Sequence, residues 1–480
     1  MKWDRPNVPG GTDFNTYFTL GTTPVLATSH PNQPSPSLGD LEVLPLNGWF
    51  IQRYVTAETS PVTYVRRYAS GNWGAWVKNP TRAELDALTN RVGALEESNA
   101  PVGRSGMKVV PLTMTAPGTP LSTSGTTDGS VRWVRRYAVM PKRVRVHVSN
   151  RNTGNALTGT DLNLSAIRVG VGNASGGYTQ GVVAATGGTI PGGANELVTP
   201  WITVPGLSDG GYINVTVSWT TGGANVTLQH NQGGGWTASD DTHANEADVT
   251  TSGAWTRSQT TPLHCWIEAE VPANTPVLLA NGDSITVGTA TTDPVGDSWA
   301  AKYAYDNGAL PVILAMHGST MANWTAGAVR WSQYGTFALS PVVDAIVTTL
   351  GQNDLAAAGM DLPTLQSRHT TFMSALRGIF PKQPVYLGAI TPSNKSATLE
   401  QLRRDFNAWR ALSAQRERGV LDFAKAVGGS ADEDLLPEYS ADGLHPNTAG
   451  QAVMAGVVEA VPVTPFTLSP AKLKALAALA

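Results

Sequence analysis

The sequence predicts a multidomain chain: a small N-terminal β module, a short coiled coil, a jelly-roll-like β-sandwich and a C-terminal α/β domain. Three observations predict it. Beyond residue 273, continuous apolar runs (TPVLLAN, LPVILAMH, VVDAIVTTLG, QPVYLGAIT) alternate with amphipathic helical stretches, the pattern of a parallel sheet covered on both faces. Across 104–272, apolar and polar residues alternate with period two between turn-rich clusters. Between this region and an aromatic-rich front lies a short heptad, and 480 residues exceed what one compact core holds.

Composition agrees with strands and turns. Charged residues are only 14%, while Gly (50) and Pro (32) are abundant. A net charge of -3 gives no general attraction to nucleic acid. The single cysteine, Cys265, excludes a disulfide framework and a Cys-rich zinc site; its alternation with Ile267, Ala269 and Val271 places it in a core. The opening MKWDRPNVPGGTDF has no apolar core of signal-peptide length, so synthesis without Sec export is expected. No apolar run is long enough to span a membrane.

In residues 1–80, three strand-like pieces stand out: GWFIQRYV (48–55), VTYVRRYA (62–69) and WGAWVKN (73–79). Residues 81–103 form the coiled coil or linker. Thr81 and Glu84 make a capping box, and Leu85, Leu88, Val92 and Leu95 recur at 3-4-3 spacing. So narrow an apolar stripe cannot bury itself alone, which points to a homotrimer; a linker helix packed on a neighbouring domain is the alternative. In 104–272, KRVRVHVSN, AIRVGVG and YINVTVSW alternate strictly and read as half-buried strands. The acidic run at 239–248, with Asp240, Asp241, His243, Glu246 and Asp248, lacks EF-hand spacing and reads as a solvated loop. YVRRY (64–68) and WVRRY (133–137) are too short to establish a repeat. Residues 273–465 form the α/β domain, and 466–480 a terminal helix with Ser469 as N-cap and Pro470 at N1.

In an open α/β sheet, ligands sit at the carboxyl ends of the strands. The run LLANGDSITVG breaks at Asn281-Gly282 and presents Asp283-Ser284. His317-Gly318-Ser319 follows the second strand, GQND with Asn353 and Asp354 the third, and SADGLHPN with Asp442 and His445 lies near the end. These residue types suit nucleophilic acyl transfer: a serine, a histidine base and a carboxylate to orient it. The N–H groups of Ser284 and Gly318 and the amide of Asn353 are candidate oxyanion donors. His317, Asn323 and Trp324 are candidate substrate-pocket residues, with a structural strand-end role the alternative for His317.

Taken together, NGDS, the glycine after the second strand, GQND and DGLHPN resemble the blocks of the SGNH (GDSL-type) hydrolases over residues 275–462. The resemblance implies a flavodoxin-like three-layer fold, Ser284 as nucleophile, His445 as base and Asp442 as its orienter. It also implies an oxyanion hole of Ser284, Gly318 and Asn353, and no metal or cofactor. The family spans lipases, arylesterases, acetylesterases and thioesterases, so the substrate stays open.

The stretch FIQRYVTAETSPVTYVRRYASGNWGAWV resembles knob-like modules of phage tail fibres and pyocin fibres. The whole chain is therefore similar to a bacteriophage minor tail or receptor-binding protein with an enzymatic tip. That resemblance implies location in the virion, synthesis in the host cytoplasm and action at the host cell surface. Its partners would be other tail proteins and host envelope glycan or lipid. The alternative is a receptor-binding module whose hydrolase fold grips glycan with little turnover.

Overall fold

A computed structural model of the chain describes residues 21–25, 39–46, 49–56, 63–69, 72–73 and 77–79 at its front. Beyond these it describes 106–460 except 117–127, 150–160, 186, 192–195, 221–229, 240–254, 336, 414–416 and 429–433. The heptad at 81–99, the acidic residues Asp240–Asp248 and the helix expected at 466–480 lie outside the described residues. The chain divides into two compact units, Met1–Arg104 and Ser105–Ala480.

In the first unit, β1 (Gly21–Val25), β2 (Gly39–Leu46), β3 (Trp49–Thr56), β4 (Thr63–Ala69) and β5 (Asn72–Trp73) form an antiparallel sheet in sequence order. A sixth strand, β6 (Val77–Asn79), pairs with β4. The three expected strand pieces fall on β3, on β4, and on β5 and β6, each of which pairs with β4.

The second unit begins with two antiparallel sheets. One runs β11 (Tyr178–Ala185), β10 (Leu162–Gly172), β14 (Tyr212–Thr220), β8 (Asp128–Arg136), β15 (His230–Ala238), β16 (Thr256–Pro262), with β12 (Gly188–Ile190) beside β10. The other runs β13 (Leu197–Val198), β9 (Arg143–Ser149), β17 (His264–Pro272), β7 (Met107–Thr113). Val131, Trp133, Val215 and Val217 of the first sheet and Val146, Val148, Cys265 and Ile267 of the second are buried in one core. Burial pushes the Cys265 thiol up in pKa.

β10 and the first half of β9 alternate in burial as the sequence suggests, but β14 is buried on both faces. In β14 the polar positions Asn214, Thr216 and Ser218 are as buried as the valines. Their face is covered by a turn and a polar network. Asn214 Nδ2 donates to the carbonyls of Gly176 and Gly177, Thr216 Oγ1 meets Arg132 Nε (2.7 Å) and Tyr178 Oη (2.6 Å), and Ser218 Oγ lies 2.6 Å from Ser130 Oγ. These bonds offset much of the cost of taking the groups out of water, though Asn214 Oδ1 is left without a partner among the described residues.

The α/β region has five parallel strands: β18 (Val277–Gly282), β19 (Leu310–Ala315), β20 (Ala345–Thr348), β21 (Val385–Gly388) and β22 (Val420–Leu421). Their order is β19-β18-β20-β21-β22, the doubly wound 2-1-3-4-5 arrangement of flavodoxin. Helices are α1 (Ser284–Val287), α2 (Trp299–Asp306), α3 (Gln352–Leu355), α4 (Leu362–Ile379), α5 (Ala397–Ser413), α6 (Phe423–Gly428) and α7 (Thr448–Ala460). Asp361 caps α4 by accepting from Thr364 N–H, with Pro at its first turn.

Sandwich and α/β layers share one continuous apolar core, in which Leu279, Val312 and Leu314 cluster with the sandwich residues. Polar ties reinforce it. Ile313 N–H donates to Thr113 Oγ1 (3.0 Å), Tyr334 Oη meets the same hydroxyl, and His264 Nε2 lies 3.1 Å from Gln333 C=O. The buried Arg135 guanidinium pairs with Asp293 at 3.1 Å. No helix among the described residues is long and apolar enough to cross a membrane.

Candidate active site

The order of the strands reverses at β18, and the loops after β18, β19 and β20 meet there. Asn281 fixes this junction. Its Nδ2 donates to Leu314 C=O and its Oδ1 accepts from Thr348 Oγ1, both at 3.0 Å, so one buried side chain ties β18 to both neighbours. The strand therefore continues through Asn281 and Gly282, where the sequence suggested a break.

Ser284 opens α1, and Asp283 caps it by accepting from Ile285 N–H at 3.0 Å. As the first helical residue, Ser284 has an N–H with no intrahelical acceptor. Its side chain points to His445: Oγ lies 3.0 Å from Nε2. On the other side of the ring, His445 Nδ1 lies 2.7 Å from Asp442 Oδ2. Asp442 Oδ1 accepts from the N–H groups of His445 (2.8 Å) and Leu444 (2.9 Å) and from Ser440 Oγ (3.1 Å). Partial burial alone would raise the Asp442 carboxyl, but these hydrogen bonds hold it well below the ordinary carboxylate range. It is thus fully ionised wherever His445 needs an acceptor for its Nδ1 proton. The structure brings together all three expected residues from the two ends of the domain.

The expected oxyanion donors sit at the carboxyl ends of three neighbouring strands, and a side-chain hydrogen bond joins two of their loops. Gly318 has φ +64°, in the left-handed region, and a Cβ there would meet nothing, so the conformation rather than crowding calls for glycine. Asn353 Nδ2 donates to Ser319 C=O at 3.0 Å, joining the GQND loop to the loop that carries Gly318. The preceding Gly351 has φ +137°, and a Cβ on it would lie 2.4 Å from Ile390 Cδ1. Asp354 is buried beneath, accepting from Met321 N–H (2.9 Å) and Arg368 Nη1 (3.1 Å). Burial raises its pKa against those bonds.

The candidate pocket residues have other placements. Trp324 is fully buried and packs edge-on against Trp331 at 4.9 Å, so it is core and not a pocket wall. Asn323 Oδ1 accepts from Thr320 N–H and Oγ1, both 2.9 Å, closing the capping box of the short helix Met321–Trp324. His317 stays near the site. Its Nε2 lies 3.0 Å from Thr289 Oγ1, and burial, aided by repulsion from His445, lowers its pKa to about 4. It is neutral at neutral pH.

Two cations support the site that the sequence reading missed. Arg330 Nη1 donates to Ser319 Oγ (2.7 Å), and Lys395 Nζ donates to Gln352 C=O (2.8 Å). Neither belongs to a strand-end block, so no local signal marks them. Among the described residues no group of three or more His, Cys, Asp or Glu side chains could hold a metal ion.

Burial pushes the Asp283 carboxyl up to about 6, against the Ile285 N–H bond and the attraction of His445. An ordinary aspartate titrates near 3.9, so the folded chain binds this proton more tightly than the unfolded one. Stability is therefore lost as pH rises from about 4 through about 6. Asp283→Asn keeps the capping oxygen and removes the buried charge. It should stabilise the second unit by up to about 3 kcal/mol above pH 6, with the difference vanishing below about pH 4. Thermal melts at the two pH values measure this; an unchanged or lower midpoint at high pH would refute it.

Residues 280–453 match the GDSL-like lipase/acylhydrolase family. The C-terminal region is a GDSL/SGNH domain of the esterase and acylhydrolase class. Among solved structures, a member of the lipolytic G-D-S-L family from Veillonella parvula aligns at 21% identity, over 40% of this chain and 100% of that one, with TM-score 0.33. A family two carbohydrate esterase from Clostridium thermocellum, in complex with cellohexaose, aligns at 16% identity over 74% and 97%, with TM-score 0.32. Another from Cellvibrio japonicus aligns at 13% over 75% and 98%, with TM-score 0.34. No curated protein matches the chain.

Proposed function

We propose that the chain is a phage tail-associated serine esterase that removes acyl or O-acetyl groups from the host cell envelope during adsorption. The observation that carries the chemistry is the relay Ser284 Oγ–His445 Nε2–Asp442, with links of 3.0 and 2.7 Å. Ser284 Oγ attacks the ester carbonyl as its proton passes to His445 Nε2, and Asp442 stabilises the imidazolium. The tetrahedral oxyanion is met by the N–H groups of Ser284 and Gly318 and by Asn353 Nδ2. His445 then gives its proton to the departing alkoxide, leaving an acyl-Ser284 ester. Water, deprotonated by the same imidazole, releases the carboxylic acid and restores the serine.

The carrier role is supported by the likeness of residues 40–78 to fibre knob modules. The heptad Leu85, Leu88, Val92, Leu95 supports a homotrimer. Light scattering on the full chain should give three times the monomer mass, and Leu88→Asp/Leu95→Asp should dissociate it. A monomeric wild type would remove the trimer. The function itself is tested on nitrophenyl esters of increasing chain length, beside release of acetate or fatty acid from host envelope. Turnover of short esters with acetate release identifies a deacetylase. A folded protein that turns over no ester sinks the proposal in favour of a glycan-binding module.

A further inference from the structure

A cavity of about 440 Å³ runs along the joint between the β-sandwich and the α/β domain, away from the relay. Its volume is that of a ligand site. Arg136, Tyr212, Trp236 and Arg257 line it from the sandwich, and Lys302 and Tyr305 of α2 from the other side. Gly234 and Gly296 leave the floor without side chains, since a Cβ on either would lie 2.2 or 2.4 Å from the Asp293 carboxylate.

Three cations (Arg136, Arg257, Lys302) and three carboxylates (Asp293, Asp297, Asp306) line the cleft, and two of the carboxylates are committed to ion pairs. Asp293 pairs with Arg135 at 3.1 Å, and Asp306 with Lys302 at 3.0 Å. Arg136 and Arg257 make no ion pair among the described residues. Each lies instead over an aromatic ring. The Arg136 guanidinium carbon is 4.0 Å from the Tyr305 centroid and 5.5 Å from that of Tyr212, and the Arg257 carbon is 5.5 Å from the Trp236 centroid. Arg136 Nε donates to Gly210 C=O at 2.9 Å, so its fork toward a ligand is the Nη1/Nη2 end, and that end of a stacked guanidinium matches a carboxylate bidentately. The neighbouring aromatic faces suit the C–H faces of sugar rings. Asp297 and Asp306 also line the cleft, and they repel an anion more densely charged than one carboxylate per sugar, such as a polyphosphate.

The cleft also touches the two loops that carry the chemistry. The loop after α1 reaches His317 through Thr289 and supplies Gly296 and Asp297 to the cleft. Thr448, three residues beyond His445, lines the cleft and accepts from Thr292 N–H at 3.3 Å. We infer that this cleft binds a stretch of glycan bearing carboxylate groups, holding the polymer whose ester is cleaved at Ser284. The inference rests on the esterase reading and names the class of its substrate.

The test titrates the full-length Ser284→Ala protein calorimetrically with an oligogalacturonate and with a neutral cello-oligosaccharide of equal length. The charged oligomer should bind at least about tenfold more tightly and lose affinity as salt rises. Arg136→Gln and Arg257→Gln, added singly, should each weaken it by about fivefold or more while thermal melts hold. Equal affinity for both oligomers, no binding of either, or unchanged affinity in both glutamine variants overturns the inference. So does inorganic polyphosphate that competes better than the oligogalacturonate. The two readings fail separately. A wild type that cleaves no ester but still binds the charged glycan loses the esterase reading alone. One that cleaves esters without carboxylate-dependent binding loses the cleft alone.

Discussion

Ser284→Ala is expected to lower kcat for ester hydrolysis by about 10⁴–10⁶ while the protein folds normally. The side chain makes one polar contact, to His445 Nε2, and its loss removes about 1 kcal/mol of hydrogen bonding. The imidazole is partly exposed (side chain 17%), so water can replace the lost partner. Nothing else in α1 changes, because the cap is made by Asp283 and not by the serine. The sharper form of the test is a pair. If serine and histidine act as one unit, Ser284→Ala/His445→Ala should be no slower than Ser284→Ala alone. Asp442→Ala should cost less than either, since its side chain is 49% exposed and solvent can partly take over its hold on Nδ1. A folded Ser284→Ala with near wild-type turnover, or a double variant whose losses multiply, would refute the relay as the catalytic unit.

How far the sequence foretells this site depends on where each partner lies along the chain. Ser284, Gly318, Asn353 and His445 each follow an apolar strand or sit in a short polar block, so position along the strand pattern singles them out as candidates. Asn281-Gly282 reads in the sequence as the break that ends the strand. The acceptor and donor of the Asn281 side chain, Leu314 and Thr348, lie on strands that the sequence marks, but their places on either side of β18 are set only by the fold. Trp324 was placed on a pocket wall from its neighbours in sequence, but its partner Trp331 withdraws it into the core. Alternation in β14 correctly groups side chains by face, yet it carries no information about what covers that face. The cover comes from Gly176 and Gly177, nearly forty positions away. The joint between sandwich and α/β domain is equally hidden, since Arg135 and Asp293 are 158 residues apart. Neither residue's local surroundings hint at the other.

Asn353→Ala should leave the fold intact and lower kcat by about 10²–10³ with little change in KM, the usual loss for one oxyanion donor. In the resting site one Nδ2 hydrogen is held by Ser319 C=O at 3.0 Å, which fixes the amide plane. If Asn353 is an oxyanion donor, the second hydrogen, held in the same amide plane, meets the oxyanion without reorganisation. This contact strengthens as negative charge develops on the carbonyl oxygen, so its loss falls on the transition state more than on bound substrate. Asn353→Asp sharpens the point. It preserves size but replaces the donor with a carboxylate facing the oxyanion, and it removes the donor to Ser319, so it should be at least as slow as the alanine variant. Asp354, Met321 and Arg368 continue to hold the loop in both variants, so thermal midpoints should stay close to wild type. A variant whose KM rises while kcat holds would make Asn353 a ground-state binding residue. An Asn353→Asp protein faster than Asn353→Ala would remove it from the oxyanion hole altogether.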